Sequence, residues 1–219
     1  MKHFTLTICA ASLLLFSCNN NGEKTDAVKT DTSKTTEQPV AKDAAPAVMP
    51  DSAAMNKAWM AYATPGDMHK WMEKTNGTWE AEVSQWMSAD APPMKTKATN
   101  LQSSVLGGRY VTGKFSGSMM GQPFNGLSLM GYDNAKKVFT STWVDDMGTG
   151  IVHMTGTYNE ATKTLSLNGH QTDFMTAKDS DIREEMVMID DNTYKMTMYG
   201  TGFDGKEMKF MEGTFKKKK

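Results

Sequence analysis

The chain has 219 residues, and its 24 Lys and Arg against 25 Asp and Glu leave a formal net charge of -1. That balance lacks the basic footprint of a nucleic-acid-binding domain, so no nucleic-acid partner is expected. The two cysteines, Cys9 and Cys18, both lie near the start, so the rest of the chain has no disulfide to lean on and must be held by a core.

The first segment reads Lys2-His3, then an apolar run from Phe4 to Phe16, then Ser17-Cys18. A basic start, a short apolar stretch and a small residue before the cut are the parts of a signal peptide, here residues 1–17, and the run is too short to span a bilayer. The Leu15-Phe16-Ser17-Cys18 junction resembles a bacterial lipobox. That resemblance implies that Cys18 becomes the lipid-bearing first residue, making a membrane the partner and the bacterial cell envelope, periplasm-facing, the address. The acyl load implied exceeds the two signals that stable anchoring requires.

Residues 18–50 follow Cys18 with Asn, Lys, Thr, Asp, Ala and Pro and almost no large apolar side chain. Such a stretch cannot bury enough surface to offset its ordering entropy, so a disordered tether with a reach of about 30 Å is expected.

Residues 51–77 read as a helical N-terminal segment. Asp51 or Ser52 can cap a helix carrying Met55, Trp59 and Tyr62 at helical spacing. A second helix is expected to open with Thr64 as its N-cap and Pro65 at its first position. It would carry Met68, Trp71 and Met72 on its apolar stripe, with His69 beside them, and stop at Gly77.

From 78 to 219 the period changes to two, and turn residues return every eight to twelve positions or so. Strands are expected at 78–87, 96–106, 108–118, 122–132, 136–145, 149–158, 163–172, 181–190, 193–200 and 206–216. Turns fall at Gly107-Gly108, Asp133-Asn134, Asp190-Asp191-Asn192 and Asp204-Gly205, among others. The fold class is therefore mainly β: an antiparallel up-and-down barrel of about ten strands preceded by two short helices, with a two-sheet sandwich as the alternative.

Along this stretch stand Ala63-x-Pro65-Gly66-x-x-His69, Leu106-Gly107-Gly108-Arg109, Gly121-x-Pro123-Phe124-x-Gly126, Gly131-Tyr132-Asp133-Asn134 and Trp143-x-Asp145-x-x-Gly148-Thr149-Gly150. This ordered series resembles one numbered bacterial domain-of-unknown-function family over nearly all of 55–216. The resemblance implies a lipocalin-like, calycin-type barrel preceded by helices, and it carries no catalytic or ligand assignment. The chain departs from it mainly by using Met where Leu, Ile or Val is expected.

Methionine is the outlying number, 20 in all. Met186, Met188, Met196 and Met198 flank the Asp190-Asp191-Asn192 turn. A three-residue loop there puts all four on one face with Tyr194, whereas a two-residue loop splits them. Thioethers are adaptable padding for a barrel interior; they also suit Cu(I), but no Met-x-x-Met or His-rich cluster occurs, so neither a metal nor a cofactor is expected.

His153 and His170 share strand faces with polar residues and read as surface or rim groups. Gly200-x-Gly202-x-x-Gly205 lies between two strands with no helix to receive a phosphate, and a turn before Gly148 accounts for Asp145-Asp146. Arg109, on the face of Val111 and Phe115, needs a carboxylate or a bound anion.

The function expected is an envelope-anchored, non-catalytic binding module for a small, largely apolar ligand, lined by Arg109, Tyr132, Trp143, Met186, Met188, Tyr194, Met196 and Met198. A hydrolase- or isomerase-like enzyme would instead gather Arg109, Tyr132, Trp143, Asp145 and His153 at the barrel mouth. A structural protein would have a dry, packed interior. The oligomeric state is not legible in the chain.

Overall fold

The computed structural model describes residues 51–202 and 204–219. The expected signal peptide, Cys18 and the tether lie outside the described residues.

Helix α1, Ser52–Ala63, begins where Asp51 Oδ1 accepts the Ala54 N–H at 2.7 Å. It ends at Thr64, whose backbone N–H and hydroxyl both donate to Met60 O. Thr64 thus closes the first helix and does not open the second. The reason is Pro65, which disfavours helical backbone in the residue before it and holds Thr64 extended at ψ 121°.

The Met55, Trp59 and Tyr62 stripe is exposed, Trp59 at 62%, and α1 buries nothing. Its contacts run through its end: Arg109 donates to Ala63 O at 2.9 Å, and Asn134 donates to Tyr62 O and Thr64 O.

Helix α2, Asp67–Glu73, has Gly66 as its N-cap and stops at Lys74, ahead of Gly77. Gly77 instead opens the first strand. His69 Nδ1 accepts the Gly66 N–H at 3.0 Å, satisfying a donor that the helix start leaves free. Trp71 and Met72 are buried, and Met68 packs against the core.

Ten strands follow: β1 Gly77–Gln85, β2 Met94–Val105, β3 Tyr110–Met119, β4 Gln122–Asp133, β5 Val138–Asp145, β6 Val152–Asn159, β7 Thr164–Asp173, β8 Lys178–Asp190, β9 Thr193–Thr201 and β10 Glu207–Lys217. Each pairs antiparallel with its sequence neighbours, and β1 also pairs with β10, from Trp79 opposite Lys217 to Gln85 opposite Met211. The sheet is a closed up-and-down barrel, not a sandwich.

The turn between β8 and β9 has two residues, Asp191 and Asn192, a length that alone would split the methionines. An irregularity between Met188 and Asp190 restores the phase, so that Met186 faces Met196 and Met188 faces Tyr194. All four methionines and Tyr194 point inward.

The core sits at the α2 end. Trp71 meets Phe139 and Tyr158 at ring-centroid distances of 5.3 and 4.6 Å, Trp79 meets Tyr194 at 4.7 Å, and Tyr194 stacks on Phe215. Trp79 is 0% exposed and its indole N–H donates to Thr75 O at 2.7 Å, so its polar atom is satisfied within the core. Burying an apolar side chain of this size contributes roughly 1.5–3 kcal/mol, which makes this end the anchor of the barrel.

Candidate functional site

Eight strands enclose a space that side chains just fill, and ten enclose more. At the α2 end the surplus is taken up by Trp71, Met72 and the aromatic floor. Toward the other end no element enters, and Gly113, Gly126, Gly169 and Gly213 occupy inward positions of the register.

Several side chains there point inward and keep accessible surface, beside the buried Val83, Phe124, Met154, Ile182 and Met211. Phe115, Ser128, Ser141, Trp143, Glu184, Met196 and Met198 are all half-buried, whereas Trp79, Phe139, Leu165 and Phe215 on the floor are 0–1% exposed. In a closed barrel such inward side chains are reached from within or through the mouth, so they mark a chamber that opens at this end.

Its outer wall is aromatic. Trp143 lies 6.0 Å from Phe115 and 6.1 Å from Phe124 between ring centroids. Glycine is required at 126 because any Cβ there would overlap the Trp143 indole. The indole N–H donates to Asp145 Oδ2 at 2.8 Å, and Asp145 Oδ1 accepts the N–H groups of Met147 and Gly148, so the turn after β5 fixes the ring. Asp146 turns away to Asn125, whose backbone and side-chain N–H groups hold its carboxyl below the usual range.

Deeper in, Tyr194 reaches across the barrel from β9 to β2. Its hydroxyl accepts from Asn100 Nδ2 at 3.4 Å and Gln102 Nε2 at 3.3 Å, and burial pushes its pKa up, so the phenol stays protonated. Glu184 also faces inward, opposite Leu167 and Met198. Half-buried by accessible area and set among apolar neighbours, it is desolvated, and burial pushes its carboxyl up to about 7.

Neither the Glu184 nor the Asn100–Gln102 contribution was anticipated from sequence. The signal was present in the strand phase. In Ile182-x-Glu184-x-Met186-x-Met188 an acid occupies an apolar phase, and Asn100 and Gln102 share the phase of Ala98.

The anticipated residues divide into three groups. Met196 and Met198 face the chamber, as does Trp143. Met186, Met188 and Tyr194 are 5%, 9% and 1% exposed and belong to the packed floor, with only the Tyr194 hydroxyl reaching upward. Tyr132 is also at the floor, 5.9 Å from His69 and 4.9 Å from Phe139. Arg109 lines nothing: it is exposed and donates to the Leu106 and Ala63 carbonyls, so backbone oxygens take the place of the expected carboxylate or anion.

The five residues of the enzyme alternative are not brought together. His153 is on the outer wall opposite His170, Arg109 is at the helix joint, Tyr132 is on the floor, and Trp143 and Asp145 are bonded to each other. Among the described residues no cluster of His, Cys, Asp and Glu is arranged to hold a metal ion.

His69 is a third buried titratable group. Burial, then the charge of Arg109, lowers its pKa, so it stays neutral and joins α2 to the Tyr132 backbone on β4. On the outer wall a depression of about 880 Å³ over β10, β1 and β2 is lined by charged side chains, several of them ion-paired, as in Lys218–Glu80 at 2.9 Å. That depression is a solvated surface, separate from the chamber.

Burial of Glu184 makes a pH prediction. Its folded pKa stands above the unfolded value of 4.5, so its contribution to stability is full below pH 4.5 and is lost as pH rises through about 7. Glu184→Gln is expected to raise the unfolding free energy at pH 8 by about 1–3 kcal/mol, with little difference at pH 4, in urea titrations. A variant less stable than the native chain at pH 8 would show the carboxylate to be neutralised by the protein.

A family model described as "Protein of unknown function (DUF1579)" matches residues 64–217. No curated protein matches the chain. Among solved structures, the crystal structure of Rv2717c from M. tuberculosis is similar with a TM-score of 0.55 at 10% identity, over 71% of this chain and 100% of that one. The S-type phycobiliprotein lyase CPES from Guillardia theta is similar with a TM-score of 0.50 at 10% identity, over 70% of this chain and 94% of that one. At such identity the likeness is one of fold, a lipocalin-like barrel.

Proposed function

The chain belongs to the DUF1579 family, whose function is unknown, and from that premise we propose that it is a non-catalytic binding module for a small, largely apolar ligand, carried on the cell envelope by lipid on Cys18. The observation that carries the binding reading is the chamber: Phe115, Trp143, Glu184, Met196 and Met198 point inward in the open half and keep accessible surface, unlike the aromatic side chains of the floor. A purely structural barrel would have no reason to leave that space unfilled, since inward voids forfeit dispersion contacts. The dispersal of Arg109, Tyr132, Trp143, Asp145 and His153 argues against catalysis. A lyase of similar fold among the solved structures supports a barrel that receives another molecule, without assigning chemistry to this one.

The lining supports an apolar guest. Phe115, Phe124 and Trp143 offer rigid faces, and Met196 and Met198 offer thioethers that can repack around different shapes. Fixed aromatics with flexible neighbours favour breadth over strict shape selection.

The neutral probe N-phenyl-1-naphthylamine is expected to bind the protein one to one and to quench Trp143 emission. Met198→Glu and Met196→Glu should each abolish binding, because a second unpaired carboxylate in this lining is costly. A folded native protein that leaves the probe unbound would contradict the proposal.

The envelope reading has its own test. Cys18→Ala is expected to move the protein from the membrane to the soluble fraction when cells are fractionated, since lipid would be the anchor. Continued membrane association that needs detergent for release would count against lipidation.

A further inference from the structure

The chamber holds a carboxylate that no protein group neutralises. Glu184 sits in the inward phase of β8 between Ile182 and Met186, across from Leu167 and Met198. Burial alone perturbs it: among the described residues no hydrogen bond and no charge reaches its carboxylate. The adjacent cation, Arg183, is on the outer wall, where it makes a two-point pair with Glu207 at 2.9 Å and stacks over Tyr199.

On the facing wall Asn100 Oδ1 is buried without a donor, while its Nδ2 is already committed to Tyr194. Next to that oxygen stand Gly113 and Ser128: a Cβ at Gly113 would come within 3.2 Å of the amide oxygen and would collide with Ser128 Oγ. Among the described residues the inward positions of the open half carry no Lys, Arg or His except Lys178, which is exposed at the very start of β8.

The interior thus holds a carboxylate and an unbonded amide oxygen with no protein cation beside them, in a lining that is apolar apart from the hydroxyls of Ser128, Ser141 and Tyr194. Each buried acceptor left unmade costs free energy, and an unpaired carboxylate costs more. A neutral apolar guest would leave that cost in place, since it brings no partner for the carboxylate. An anion would be repelled. A guest that brings a positive charge and N–H donors removes the cost, through charge-assisted hydrogen bonds, and gains from aromatic faces within the same chamber.

We propose that the ligand is an amphipathic cation, with its apolar body among Phe115, Trp143, Met196 and Met198 and a protonated amine directed at Glu184 and Asn100 Oδ1. This rests on the reading of the barrel as a binding chamber and narrows it to a ligand class. A metal ion is a poor alternative occupant, because one carboxylate and one amide oxygen supply too few hard ligands.

The experiment is calorimetric titration of the purified full chain at pH 8 with octylamine, 1-octanol and octanoate, three probes with one body and different heads. Octylamine is expected to bind at least about tenfold more tightly than octanol, and octanoate most weakly. In Glu184→Gln the amine should lose its advantage, to within about threefold of octanol, while octanol binds as before or more tightly. Asn100→Asp, which adds a second acceptor charge, should strengthen octylamine binding, and Glu185→Gln, on the outer wall, should change nothing. Thermal midpoints of all variants establish that each is folded. Octylamine binding no more tightly than octanol, or a preference that survives in Glu184→Gln, overturns the cation assignment while the chamber stands. If none of the three probes binds the native protein, the chamber reading itself fails and the cation assignment falls with it.

Discussion

The pairing of β1 with β10 is the constraint on which the rest of the structure depends. Seven residue pairs join the two strands from Trp79–Lys217 to Gln85–Met211, and the chain end is fastened beyond them by Lys218 N–H to Thr78 O at 2.7 Å. Closure removes both sheet edges and commits every second side chain to the interior. With ten strands the enclosed volume exceeds what those side chains fill, so the fold must either plug the space or leave it hollow. This protein does both, plugging one end with α2 and leaving the other open.

The plug explains why the short second helix matters more than the longer first one. Helix α1 buries no side chain, yet its end is fixed by Arg109 and Asn134 so that the chain enters α2 in the right direction. Helix α2 places Trp71 and Met72 on the floor, and His69 ties its start to β4 while staying neutral. Gly108 belongs to this joint as well: its φ of +77° suits glycine, and a Cβ there would collide with Glu73 of α2. The motif residues around 63–69 and 106–109 meet at one place, and the reason for their association is mechanical support of the plug.

Much of this was legible in the chain. All ten strands could be placed because period-two alternation and turn residues coincide, and neighbouring strands of a meander leave little choice of partner. Apart from the cap of α2, which Pro65 shifts from Thr64 to Gly66 by a local effect, the misplaced features depend on tertiary context. The α1 stripe of Met55, Trp59 and Tyr62 has helical spacing, but spacing cannot say whether a surface exists to receive it. The inward phase of the methionines could be read, but not how far each lies from the floor, which separates Met186 and Met188 from Met196 and Met198. Arg109 was expected to need a charged partner, yet helix-end carbonyls supplied its acceptors. Glu184 could have been found from its phase alone, because an acid among Ile182, Met186 and Met188 breaks the pattern that places its neighbours in the interior.

The chamber reconciles two features that a packed core would leave in conflict: a carboxylate held at about 7 by burial, and half-buried aromatics pointing inward. The most direct measurement is a crystal structure of the protein soaked with 1-bromooctane, with data collected at the bromine edge. The account predicts an anomalous peak inside the barrel, bounded by Trp143, Phe115 and Met198. A peak confined to the outer wall, or an interior closed by repacked side chains with no bromine in it, would contradict it.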